Sequence, residues 1–186
     1  MGIVKNKASE KKNKAPEELV IKLLSEKDVD IFWTLRLKAL KDEPHSFGAD
    51  YDESTALDPK EVAGRLVCND DNFVLGAFCP DLIGYIGFVR QKTKKMRHQG
   101  TLWGLYLLPE YRGRSIARQL MVASIMYAQE LPDLEYLKLT VTIPNKPATK
   151  LYKSLGFEKY GVEPAALKVD GKYVDEALMQ LKLHQD

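Results

Sequence analysis

The stretch LYLLPEYRGRSIARQL, residues 105–120, joins an apolar strand to a helix through a short basic turn. The first N–H groups of a helix have no partner inside the helix, and the helix dipole adds positive charge at the same end. Arg112 and Arg114 increase that charge, and Gly113 lets the backbone come close to a bulky anion. The stretch therefore predicts a binding site for a phosphate or pyrophosphate at the start of the helix.

The composition is that of one ordinary globular domain. The chain has 186 residues, of which 45% are hydrophobic and 29% charged. No apolar run reaches the length of a membrane span, and the Lys-rich N-terminus has no apolar core of a secretory signal. We therefore expect a cytoplasmic protein without a membrane partner.

Charge is concentrated at the N-terminus. Residues 1–16 hold five lysines and one glutamate, whereas the whole chain has a net charge of only +2. We expect these residues to form a disordered basic tail, and residues 17–186 to form the folded domain. Because the folded part is close to neutral, it lacks the broad basic surface that nucleic-acid binding requires.

The cysteines and histidines do not indicate a metal site. The two cysteines, Cys68 and Cys79, fit neither a zinc pattern nor a disulfide framework. The three histidines are scattered, and none lies at ligand spacing from a cysteine or carboxylate. We expect no metal cofactor.

Hydrophobic periodicity predicts seven strands and four helices. The strands are expected near residues 18–24, 73–78, 82–89, 100–108, 134–143, 157–162 and 173–183, and the helices near 29–40, 59–67, 114–130 and 145–155. The unit from residue 100 through the long helix to residue 143 requires a parallel crossover, whereas the other neighbours suit antiparallel pairing. The prediction is an α/β fold with a mixed, mostly antiparallel sheet flanked by helices.

Two motifs together resemble the GNAT superfamily of acetyl-coenzyme A-dependent N-acetyltransferases. The first is Arg112-Gly113-Arg114-Ser115-Ile116-Ala117, which matches the pattern Arg/Gln-x-x-Gly-x-Gly/Ala with Ser115 in place of the usual glycine. The second is LYKSLGF at residues 151–157, downstream of Asn145. At Ser115 the added side chain either crowds the pyrophosphate or donates one more hydrogen bond to it; we favour the hydrogen bond because serine suits a helix start.

The resemblance implies a site for acetyl-coenzyme A along the strand and turn. Backbone groups of Leu105 and Leu107 would pair with the pantetheine arm in a gap where two parallel strands splay apart. A β-bulge is expected at Trp103-Gly104, although a glycine that only relieves a packing clash is the alternative. The residues implied in cofactor binding are Leu105, Tyr106, Leu107, Arg112, Gly113, Arg114, Ser115, Ile116, Ala117 and Asn145.

The resemblance also assigns roles on the helix that Asn145 opens. Asn145 would lie beside the coenzyme A arm, and it also suits the N-cap position. Tyr152 would be the general acid that protonates the leaving thiolate, because the ordinary tyrosine pKa of about 10 suits a leaving thiol of similar basicity. A core aromatic role is the alternative for Tyr152.

The acceptor side is expected in the connector at residues 42–53, which carries five acids and two aromatics. These could attract a cationic amine, or they could form only a solvated polar loop. The strand before the basic turn has no carboxylate to serve as the base. Water, Tyr106 or an acid on the acceptor side remain open for that role, with His45 a further candidate.

The predicted function is transfer of an acetyl group from acetyl-coenzyme A to an amine by direct attack. The acceptor would be a small molecule or a protein amine, and a homodimer is possible because dimers are common among relatives. Two rivals remain: a non-catalytic acetyl-coenzyme A sensor, and an interaction protein that uses the basic tail.

Overall fold

A computed structural model describes residues 18–184. The expected tail over 1–16 lies outside them. The strands are β1 Val20–Leu23, β2 Asn72–Phe78, β3 Leu82–Arg90, β4 Gln99–Leu107, β5 Tyr136–Thr142, β6 Glu158–Val169 and β7 Lys172–Lys182. The α-helices are α1 Val29–Asp42, α2 Tyr51–Thr55, α3 Pro59–Gly64, α4 Ile116–Gln129 and α5 Lys146–Ser154. None of these helices combines the length and apolar character needed to cross a membrane.

The strands form one sheet in the order β1-β2-β3-β4-β5-β7-β6. All neighbours are antiparallel except β4 and β5, which confirms the predicted mixed sheet and its parallel crossover. The parallel ladder covers only Gln99 to Thr101 on β4, opposite Tyr136 to Lys138 on β5. Beyond Thr101 the two strands separate, and this opening in the middle of the sheet confirms the expected splay.

Helices cover both faces of the sheet. On one face α1 buries Phe32, Leu35 and Ala39 against β2, β3 and β4. On the other face α4 packs into the larger core through a buried row of residues: Ile116, Leu120, Met121, Ser124 and Ala128. Helical spacing from Ile116 and Leu120 would also direct Ala123 and Tyr127 inward, but both are only half-buried. Ser124 takes the inner position because its hydroxyl donates to the Leu120 carbonyl at 2.9 Å, which satisfies its polar group inside the core.

A β-bulge interrupts β4 at the predicted place. Tyr106 pairs with Tyr85 and Trp103 pairs with Gly87, so two residues of β4 face one residue of β3. Gly104 takes a φ of +70°, which an L side chain rarely adopts. The bulge turns the second half of β4 away from β5 and helps to open the sheet.

Two parts of the sequence prediction need correction. The connector contains α2, a single turn that the pattern does not reveal, so five α-helices flank the sheet instead of about four. The strand predicted over 157–162 continues to Val169 as part of a long hairpin. Pro164 lies inside β6, which is tolerated because β6 is an edge strand, and a register shift between Glu163 and Leu167 accommodates it.

Candidate active site

The turn between β4 and α4 presents a set of free backbone amides. The first backbone bond of α4 runs from the Gln119 N–H to the Ser115 carbonyl at 3.1 Å. The N–H groups of Ile116, Ala117 and Arg118 therefore have no acceptor inside the helix. These N–H groups lie at the positive end of the helix dipole, as the sequence predicts.

Backbone conformation explains the glycine of the turn but not its serine. Gly113 has a φ of +75°, and a Cβ added there would meet no atom within 4 Å, so conformation rather than packing requires the glycine. Ser115 has a φ of 61° and a ψ of 11°, the left-handed conformation, at the N-cap of α4. Its side chain makes no capping bond. The preference of serine for caps therefore does not explain this residue, and its hydroxyl is left for another partner.

The arginines of the turn differ in their partners. The Arg112 Nε donates to the Leu107 carbonyl at 3.0 Å, and its Nη2 bonds to the Glu43 carboxylate. Arg112 thus ties the turn to the connector. The Arg114 guanidinium stacks on the Tyr111 ring at 5.4 Å.

Arg118 is a site residue that sequence reasoning missed. The residue is exposed on the surface of α4. Its Nη1 nevertheless donates to the Ser154 hydroxyl at 3.1 Å, and this bond connects α4 to α5. Arg118 therefore places a second cation beside the free amides of α4.

The splay leaves backbone groups of β4 facing the opening. The Leu108 N–H donates to the Ile83 carbonyl on β3 at 2.9 Å. Because successive residues of a strand alternate between its two edges, the N–H and carbonyl of Leu107 point away from β3. The same alternation turns those of Leu105 toward the gap, where the β5 ladder has ended.

A groove of about 830 Å³ runs from the turn along this gap to α5. Ten of the eleven predicted site residues line it: Leu105, Tyr106, Leu107, Arg112, Gly113, Ser115, Ile116, Ala117, Asn145 and Tyr152. Arg114 does not line the groove. Arg118, Lys150, Thr140 and Thr142 line it without having been predicted.

Helix α5 forms one wall of the groove, with Asn145 at its N-cap and Tyr152 near its C-terminal end. The Asn145 side chain accepts the Ala148 N–H at 3.2 Å, so Asn145 is the N-cap of α5 while it also lines the groove. Tyr152 is 8% exposed, and burial raises its pKa to about 12. No hydrogen bond joins its hydroxyl to another residue of the described chain. Gly156, with a φ of +90°, follows the last turn and ends the helix.

A second cavity of about 270 Å³ adjoins the groove. Both are lined by Ser46, Phe47, Leu105, Thr140 and Tyr152, so Tyr152 lies where they meet. The second cavity also contains two charged side chains that sequence reasoning missed, Arg36 of α1 and Glu176 of β7.

The acidic connector enters the second cavity through its backbone and Phe47, not through its acids. Asp42 pairs with Lys38 at 2.7 Å, and Asp50 accepts the Glu53 N–H at 3.0 Å as the N-cap of α2. Glu43 is bonded to Arg112. The exposed His45 lines neither cavity.

Tyr106 is poorly suited to accept a proton. Its hydroxyl is buried and has no hydrogen-bond partner among the described residues. Burial, and then the charge of Asp42, raise its pKa above the ordinary value. A phenol that resists ionisation holds its proton at neutral pH.

Within residues 18–184 no three His, Cys, Asp or Glu side chains cluster as a metal site.

Comparison with known proteins agrees with this geometry. Residues 24–157 match the model of the acetyltransferase (GNAT) family. The chain belongs to that family. Over 99 residues it is 28% identical to the L-amino acid N-acetyltransferase AaaT of Escherichia coli, a match that spans 53% of this chain and 60% of the relative's own length.

Solved structures of GNAT proteins share the whole described fold. An acetyltransferase of the GNAT family from Streptococcus pneumoniae superposes with a TM-score of 0.80 at 26% identity, over 89% of this chain and 99% of the other. The acetyltransferase yncA from Salmonella typhimurium, solved with acetyl-CoA, gives a TM-score of 0.75 at 18% identity, over 91% and 96% of the two chains. The homodimer expected for a GNAT protein stays a prediction.

Proposed function

We propose that this protein is an N-acetyltransferase that moves an acetyl group from acetyl-coenzyme A to an amine. One observation carries the proposal: the groove from the α4 turn and the second cavity meet at Leu105, Thr140 and Tyr152. Such an arrangement lets two substrates approach each other from opposite sides. Membership of the GNAT family, and the acetyl-CoA bound to yncA, support the choice of donor.

The groove suits the successive parts of acetyl-coenzyme A. The diphosphate would lie on the free amides of residues 113–118, close to the Arg118 guanidinium. The pantetheine arm would pair with the exposed backbone groups of Leu105 and Leu107 like an added strand. The thioester would then reach the junction beside Tyr152.

The chemistry is direct attack of the amine on the thioester carbonyl. A C–N bond forms, the C–S bond breaks, and the thiolate leaves with the electron pair of that bond. The carbonyl oxygen would be polarised by a backbone N–H of β4 where the groove meets the second cavity, as negative charge develops on it. No covalent acyl-enzyme is needed, because both substrates can occupy the site together.

Tyr152 would stabilise the leaving thiolate by donating a hydrogen bond. With a pKa of about 12, Tyr152 is a weaker acid than an ordinary thiol. Complete proton transfer to the thiolate would therefore be uphill. The phenol therefore stays protonated at neutral pH and acts chiefly as a hydrogen-bond donor to the developing charge.

Glu176 is the carboxylate placed to take the proton of an ammonium acceptor. It is the acid among the side chains that line the second cavity, and it is half-buried on β7 opposite Thr142. The bonded acids of the connector, the exposed His45 and the neutral Tyr106 are less suited to this role. A positioned carboxylate can accept the proton directly or through one water.

An acceptor screen with the full chain tests the proposal. Thiol release from acetyl-coenzyme A is followed with free amino acids, polyamines, amino acid amides and peptides, and the products are weighed by mass spectrometry. Amine-dependent thiol release with a product heavier by one acetyl group supports the proposal. Binding of acetyl-coenzyme A without thiol release in the presence of any amine would contradict the proposal and favour a non-catalytic sensor.

A further inference from the structure

The second cavity contains a buried cation without an anionic partner. Arg36 is 5% exposed and lines this cavity. Its guanidinium lies under the β4 bulge, where a Cβ built on Gly104 would come within 3.4 Å of its Nη1. No carboxylate of residues 18–184 forms an ion pair with it.

The neighbours of Arg36 hold it in place without neutralising it. Its Nη1 donates to the Tyr85 hydroxyl at 3.2 Å. Its guanidinium lies over the ring of Phe47 at 5.0 Å and faces that of Trp103 at 5.7 Å. Tyr85 is neutral, because burial raises its pKa to about 12. Burying a charge costs free energy unless an opposite charge pairs with it. Binding of an anion to this fixed guanidinium would therefore be favourable.

The cavity also offers the opposite charge at a separate position. Glu176 comes from β7, whereas Arg36 comes from α1, so different elements bring the anion and the cation to one cavity. A ligand with both an ammonium and a carboxylate would match the two side chains. A volume of about 270 Å³ suits a small molecule of this kind.

We propose that the acceptor is a small amine that carries a carboxylate, an amino acid, and that Arg36 recognises its carboxylate. The planar guanidinium can donate two parallel hydrogen bonds to a carboxylate, which adds direction to the attraction. The amine end would then lie toward Glu176 and the thioester. This inference rests on the proposed acetyltransferase function and names its substrate class.

Matched acceptors test the inference in the unaltered full chain. Each L-amino acid is compared with its amide, which keeps the side chain and the amine but lacks the negative charge. We expect kcat/KM to be on the order of 10- to 100-fold higher for the free acid of the best pair. Equal use of acids and amides, or acetylation of polyamines and amides alone, would overturn the inference while leaving the proposed function intact. If no amine of any class supports thiol release, both this inference and the proposed acetyltransferase function are overturned.

Variants of Arg36 connect the preference to this side chain. Arg36→Gln should reduce the ratio of acid to amide by on the order of 10-fold or more relative to the unaltered protein, mainly by raising KM for the acid. Differences in intrinsic amine reactivity cancel, because the same two acceptors are compared in each protein. Arg36→Lys, which keeps the charge but not the paired donors, should retain part of the preference.

Arg65 provides the matched control, since it stacks on Trp33 at 5.6 Å but does not line the cavity. Arg65→Gln should leave the preference unchanged. If Arg36→Gln does not fold, the ratio of acid to amide in the unaltered protein and in Arg36→Lys still tests whether Arg36 recognises the carboxylate. An undiminished preference in a folded Arg36→Gln would overturn the assignment of this residue.

Discussion

Replacing Tyr152 by phenylalanine removes one hydroxyl at the junction of the two cavities. The ring, which packs at 6.1 Å from Phe157, stays in place. The hydroxyl makes no hydrogen bond to a described residue, so the free energy of unfolding should change by less than about 1 kcal/mol. Any large effect of the substitution on turnover therefore reports on chemistry rather than on folding.

The expected loss follows from the acidity of the phenol. Because a pKa of about 12 makes complete proton transfer to a thiolate uphill, the hydroxyl contributes a hydrogen bond to a charged group. Such a bond is worth about 1.5–3 kcal/mol, which corresponds to a fall in kcat of roughly 10- to 150-fold. The KM for acetyl-coenzyme A should change by less than about threefold, because the bond forms only as the thiolate develops.

Steady-state thiol release with saturating acceptor measures both constants. The control is Tyr173→Phe, since Tyr173 is 68% exposed and lines neither cavity. This control should keep the parent kcat. A Tyr152→Phe protein with kcat within twofold of the parent would refute the role of the phenol. A loss confined to KM would assign Tyr152 to binding instead.

Three further outcomes follow from the structure. Ser115→Gly should raise the free energy of unfolding by about 1 kcal/mol in urea titrations, because glycine adopts the left-handed conformation without strain, and an unchanged midpoint would contradict this. Glu176→Gln should lower kcat/KM at neutral pH, and the deficit relative to a control at the exposed Glu158, Glu158→Gln, should shrink as the acceptor amine itself loses its proton; a deficit independent of pH would exclude a role as base. Tyr85 and Tyr152 have raised folded-state pKa values of about 12, so the stability they provide is complete below pH 10 and is lost as pH rises toward 12. The Tyr152→Phe protein should lose less stability over that interval in alkaline denaturation, whereas equal losses would contradict the assignment.

Local patterns predicted the backbone geometry of the α4 turn and of its groove. The basic turn, the bulge at Gly104 and the α5 cap at Asn145 are each encoded within a few consecutive residues. Strand glycine, helix cap and turn chemistry act at short range, so sequence alone reveals them. The same stretch requires a parallel crossover, and this requirement predicted the mixed sheet.

The residues of the second cavity, the proposed acceptor site, could not be predicted from the sequence in the same way. Arg36 and Glu176 are 140 positions apart in the chain, and the register of β7 and the packing of α1 bring them to one cavity. In the sequence, Arg36 is one more arginine of an amphipathic helix, and Glu176 is one acid of an alternating strand. The acids of the connector were more conspicuous, but capping and ion pairing engage Asp42, Glu43 and Asp50.

Two secondary-structure features with weak local signals, helix α2 and the extension of β6, were also missed. Helix α2 has five residues and is held by its cap at Asp50, so it has too few residues to show a hydrophobic period. The extension of β6 past Pro164 depends on pairing with β7, including a bond from the Ala165 N–H to the Asp175 carboxylate at 2.8 Å. Long-range pairing overrides the usual breaking effect of proline there.

Calorimetric titration of the full chain with acetyl-coenzyme A and with acetyl-pantetheine tests the central claim most directly. The two ligands share the thioester and the arm, but acetyl-pantetheine lacks the diphosphate that the α4 turn is proposed to hold. We predict one site for acetyl-coenzyme A, with a dissociation constant between roughly 1 µM and 1 mM, and at least about tenfold weaker binding of acetyl-pantetheine. Equal affinity for the two ligands, or no heat with millimolar acetyl-coenzyme A, would contradict the account.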